Sequence, residues 1–135
     1  MICREMIAMT TVFSLGLALV PFAWADPASE VCAALVDARV ALYSMMNAKD
    51  KSAQDAFNTK VQAASTKLDS VLTGRAGADA KVAADFKAIW DQFKATREKE
   101  IIPAIYKGNV DEAKKITNGI QYERLSKMWS IMSCK

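Results

Sequence analysis

Apolar residues recur at intervals of three and four along nearly the whole chain beyond residue 30, and nothing alternates in the two-residue rhythm of a strand. Such a rhythm leaves one solution, a set of amphipathic helices that must bury their apolar faces against one another. Val31, Leu35, Ala38, Leu42 and Met45 form the first stripe, and Phe57, Val61, Ala64, Leu68 and Val71 the second. The third holds Val82, Phe86, Ile89 and Phe93, widened by Trp90. The fourth runs Ala113, Ile116, Ile120, Arg124, Met128 and Ile131, with a looser rhythm. Only 5 Gly and 3 Pro interrupt 135 residues, which suits long helices and argues against a turn-rich β protein.

Punctuation between the stripes places the ends. Asp26 or Ser29 can cap the first helix, and Ser52 with Asp55 reads as a capping box for the second, which Gly74 stops. Asp79 can cap the third, Gly108 suits a left-handed C-terminal cap, and Asn109 with Glu112 reads as a capping box opening the fourth. Pro103 should bend the third helix or end it near Glu100. The predicted helices are about 28–48, 52–73, 79–107 and 110–133. Short connections between them favour an all-α fold, an antiparallel up-down-up-down four-helix bundle, as a single domain over residues 26–135.

Residues 1–25 read as an export signal. Arg4 precedes an apolar run from Met6 to Val20, Pro21 breaks it, and Ala23-Trp24-Ala25 supplies small residues at a cleavage site. Retention as a membrane anchor is the competing expectation, because 6–25 approaches the roughly 20 residues that span a bilayer. Removal of the segment leaves a periplasmic, exported protein with two cysteines, Cys32 and Cys134, as a disulfide candidate. In an up-down-up-down bundle the first helix starts where the fourth ends, which brings the two together.

Composition excludes more chemistry than it suggests. With no histidine there is no imidazole acid/base, no Ser-His-Asp or Cys-His nucleophile, and no His-ligated haem or zinc. Neither Cys32 nor Cys134 begins a haem-attachment motif, no phosphate loop is present, and no cofactor or metal is expected. The chain is therefore read as a non-enzyme. A net charge of +3 without a Lys/Arg run is no nucleic-acid footprint. Met45, Met46, Met128 and Met132 can be soft copper ligands or core filling, and antiparallel alignment separates them and favours the core.

Arginines near the stripes are the candidate binding residues. Arg39 lies four residues from Leu35 and from Tyr43, Arg97 four from Phe93 and from Ile101, and Arg124 falls inside the fourth stripe. A cation beside an apolar seam is costly unless paired or engaged with an anion. With the ends matched at Cys32 and Cys134, Arg39 and Arg124 come within about a turn of one another and can receive a carboxylate. The alternative is that their stems cover the stripe edge while the heads reach solvent or Asp37 and Glu123. Trp90 is either core packing or part of a ligand slot.

The segment Trp90 to Met132 resembles the periplasmic four-helix-bundle sensor domain of methyl-accepting chemotaxis receptors. The resemblance is carried by Trp90, Phe93 and Arg97, by Ile101-Ile102 and Gly108-Asn109, then by Glu112-Ala113 and Arg124. It implies a bundle that binds small ligands, often organic or amino acids, at helix faces near a homodimer interface. The receptors continue into a second membrane span and a signalling rod, so the expectation here is a standalone, soluble relative. The Cys32–Cys134 clasp departs from the family pattern. Two functions follow as expectations. One is a sensor-like module whose Arg39, Arg97, Arg124 and Trp90 receive a small anion; the other is a non-catalytic envelope protein that binds a membrane or periplasmic protein through its helix faces.

Overall fold

Asp26 sets the first helix: its carboxylate accepts from the Ala28 amide at 3.3 Å, and Pro27 follows at the first helical position, where no N–H is needed. The computed structural model describes residues 26–75 and 80–135, so the predicted export signal and the Asp79 cap lie outside the described residues. Helix α1 is Pro27–Asn47 and α2 is Lys51–Arg75. The third run comprises α3, Ala80–Thr96, a π-helical turn over Arg97–Ile101, and α4, Ile102–Tyr106. The fourth comprises α5, Val110–Asn118, and α6, Ile120–Met132. No strand occurs among the described residues, and no described helix is long and apolar enough to cross a membrane. The fold is all-α.

Two of the capping expectations are corrected. Asp50, not Ser52, opens α2: its carboxylate accepts from the Ala53 amide at 2.8 Å, while Asp55 is drawn off by Lys51 and Tyr106. Asn109 precedes α5 without a side-chain cap, although its carbonyl accepts from Ala113. Gly108 does take the left-handed conformation, with φ 79°, and the Asn109 amide turns back to the Ala104 carbonyl at 2.8 Å, closing α4.

The third run departs from α geometry beside Pro103, where a bend or an end near Glu100 was expected, and the fourth is broken where a single helix was expected. In the third, the widened π turn immediately precedes Pro103, whose missing N–H an α ladder could not have used. In the fourth, Gly119 adopts φ −94° and ψ −111°, and a Cβ there would stand 3.0 Å from the Lys115 carbonyl. The break re-aims the chain beyond it. The buried series is Ala113, Thr117, Gln121, Leu125, Met128 and Met132, whereas Ile120, predicted to be inside, is 44% exposed.

Burial otherwise follows the stripes. α1 packs along α2, α3 along α6, and the two pairs meet less extensively. One apolar cluster gathers Val31, Leu35, Leu68, Phe86, Trp90, Phe93 and Met128 with their neighbours. The other gathers Leu42, Met45, Val61, Ile101 and Ile105. The methionine pairs are thus divided, Met128 and Met132 in the first, Met45 and Met46 in the second. Cys32 and Cys134 are bonded, with Cα atoms 5.7 Å apart, tying the start of α1 to the end of α6.

Closing a loop with a sequence separation of 102 restricts the unfolded chain by about 4–5 kcal/mol in the loop-entropy model. Cys32→Ser with Cys134→Ser should therefore lower unfolding free energy by up to that amount in urea titrations while leaving the far-ultraviolet helical signal intact.

Candidate functional site

Between the two apolar clusters lies a polar level. Phe93 belongs to the first and Ile101 to the second, and Arg97 stands midway, one helical turn from each. On α2, Ser65 stands between Val61 and Leu68 in the same way and donates to the Val61 carbonyl at 2.8 Å. Thr117 and Gln121 enter from the two sides of the Gly119 break. Each of the buried polar residues, Ser65, Arg97, Thr117 and Gln121, sits at this level. A π turn on one side and a glycine break on the other are local departures from helix geometry that the surrounding packing has to hold.

Arg97 is 1% exposed. Its Nε donates to one oxygen of Glu98 at 2.9 Å, its Nη2 lies 2.9 Å from the same oxygen as an ion pair, and its guanidinium lies 5.7 Å from the Trp90 ring centroid. The same Glu98 oxygen accepts from Gln62 of α2 at 3.0 Å. Arg97 Nη1 is buried and has no hydrogen-bond partner among the described residues. Burial pushes the Arg97 pKa down, and the carboxylate of Glu98 pulls it back up. Arginine starts so basic that the group stays charged.

Gln121 is engaged at both ends of its amide. Its Nε2 donates to the Phe93 carbonyl at 2.9 Å, and its Oε1 accepts from Arg124 Nη1 at 3.0 Å. Thr117 spends its hydroxyl proton on the Ala113 carbonyl at 2.7 Å. Together with Ala38, Arg39, Leu42, Phe93, Tyr122 and Leu125, these residues and Arg97 line a cavity of about 20 Å3. That is room for one body of water size. The Arg39 guanidinium lies 5.5 Å from the Tyr43 ring centroid, and the Tyr43 hydroxyl donates to Asn118 at 2.7 Å.

The predicted site residues separate into two groups. Arg39 and Arg97 line one cavity. Arg124 turns instead toward α3, donating to Thr96 Oγ1 at 2.7 Å and to the Gln92 carbonyl at 3.4 Å, so the expected partner of Arg39 is replaced by Arg97. Trp90 is fully buried behind the site. Its Nε1 donates to Asp69 at 2.7 Å and its ring stacks on Phe93 at 5.7 Å between centroids. Thr117 and Gln121 went unread. Their signal was the i, i+4 series Ala113, Thr117, Gln121, Leu125 beside Gly119, which a search for apolar residues passes over.

Gln121→Leu should cost about 1–3 kcal/mol of stability, because it strands the Phe93 carbonyl and one contact of Arg124 in a buried setting; urea unfolding measures it. Comparison with protein-family models, with curated proteins and with solved structures finds no match to this chain.

Proposed function

We propose that this chain is an exported, sensor-like module, an up-down-up-down four-helix bundle that binds a small anionic ligand and catalyses no reaction. The observation that carries the reading is Arg97, a buried cation with one amino group unmatched, lining a cavity that a second arginine, Arg39, also lines. Leaving a charged donor without a partner in a dry setting costs more than leaving a neutral one, so the fold is most stable when an acceptor fills that place. Glu98 offsets part of the charge, but its side chain is 41% exposed and therefore partly screened by water. The antiparallel arrangement draws support from the bonded chain ends, since α1 begins where α6 finishes. The apolar segment ahead of Asp26 and the oxidised cysteine pair favour the periplasm.

Isothermal titration against organic acids, amino acids and inorganic anions tests this. Binding is expected for the wild type and loss of at least tenfold in affinity for Arg97→Gln, which keeps a polar side chain but removes the charge. Arg124→Ala, whose guanidinium faces α3, should weaken binding far less. No heat with any anion would sink the reading.

One observation favours the second reading, an envelope protein that binds another protein through its helix faces. The solvent side of α1 carries Val36 and Val40, 42% and 59% exposed, between two shallow grooves. Under that reading Val40→Glu abolishes capture of a specific membrane or periplasmic partner while anion titrations stay silent. Under the sensor reading Val40→Glu leaves anion affinity unchanged.

A further inference from the structure

The size and the donor pattern of the Arg97 cavity narrow the ligand beyond its sign. At about 20 Å3 it accepts one body of water size, and Arg97 Nη1 is closed off from solvent. An organic acid or amino acid does not reach that atom without displacing Leu42, Phe93 or Leu125. The charge, not a lack of acceptors, sets the preference. Arg97 Nη1 offers N–H groups on a cation, Thr117 keeps an acceptor oxygen after giving its proton to Ala113, and Gln121 is held at both ends by Phe93 and Arg124. Ala38, Leu42, Phe93 and Leu125 add only apolar wall. A water molecule there would satisfy Arg97 Nη1 but leave its buried charge unbalanced. A spherical anion answers the donor and the charge together.

Charge counts the same way. Arg97 and Arg39 both line the cavity, and the carboxylates that act on Arg97 are Glu98, which is half in solvent, and Asp69, which is already held by Trp90 and Lys94. About one positive charge is left to balance, which suits a monoanion and disfavours sulfate or a dicarboxylate.

We infer that the enclosed part of the Arg97 cavity takes a single dehydrated inorganic monoanion of halide size, chloride being the plainest instance, held by Arg97 Nη1 against the apolar walls of α1, α3 and α6. This rests on the anion-binding reading above and makes it more specific: the ligand is an ion, and organic acids are excluded by room and not by charge.

The test uses the whole protein in a buffer whose only anion is bulky gluconate. Sodium chloride, bromide, nitrate, acetate, succinate and sulfate are titrated at constant ionic strength while the thermal midpoint is followed. Chloride and bromide should raise it saturably, on the order of 10 °C at a hundredfold excess over the dissociation constant. Nitrate, acetate, succinate and sulfate, each of four or more heavy atoms, should not. Crystals grown with bromide should show an anomalous peak beside Arg97, a readout that does not depend on any variant folding. In Arg97→Gln the response should vanish while the helical circular-dichroism spectrum remains. Stabilisation by the organic acids or sulfate alone, or bromide peaks only on the surface, overturns the monoanion inference and leaves a broader anion site standing. No response to any anion overturns both.

Discussion

Burying the guanidinium of Arg97 is the constraint around which the rest is arranged. Removing an ion from water costs several kcal/mol, and only partners placed with good geometry offset it. Glu98 supplies two contacts to one oxygen, Gln62 holds that oxygen from α2, and the Trp90 ring supports the cation from below. Trp90 is itself held by Asp69, which Lys94 also engages at 2.9 Å. A chain of contacts thus runs from α2 through α3 to the cation. It divides the interior into two apolar clusters where a simple bundle would have a single one.

Both breaks in helix geometry fall at this level. The π turn begins at Arg97, so the residue that most needs placing sits on the least regular turn of its run. Across from it, Thr117 and Gln121, four residues apart on either side of the Gly119 break, both face inward. Gln121 then joins the sides, taking the Phe93 carbonyl with one end and Arg124 with the other. Buried polar groups satisfied in this way fix one arrangement of neighbouring helices, since sliding a turn in either direction would strand them.

Much of this was legible in the residues. The first stripe is buried at each position named, the second and third are buried except for the half-buried Phe57, Val71, Val82 and Ile89, and Gly108 and the cysteine pair behave as their chemistry suggested. The fourth stripe misled. Its isoleucines argued for Ile120, but the chain buries Gln121, whose amide is bonded at both ends, to the Phe93 carbonyl and to Arg124, two residues after the Gly119 break. Arg39 and Arg124 part for another reason. The antiparallel register holds, since Arg39 lines a cavity with Leu125, but Arg124 turns to α3, where Thr96 and the Gln92 carbonyl accept from it.

By itself the sequence determined that the chain is helical, where most of its apolar faces lie, and which few residues carry charge next to them. Those properties are local, set by spacing and by the conformational limits of Gly and Pro. Which arginine becomes the buried one was decided only in three dimensions. Arg39, Arg97 and Arg124 look alike along the chain, each spaced four residues from an apolar neighbour. Their fates diverge through the partners the fold supplies: the Tyr43 ring beside Arg39, Thr96 of α3 and Gln121 for Arg124, and for Arg97 the Trp90 ring, a Glu98 carboxylate that Gln62 of α2 also holds, and one buried amino group without a partner.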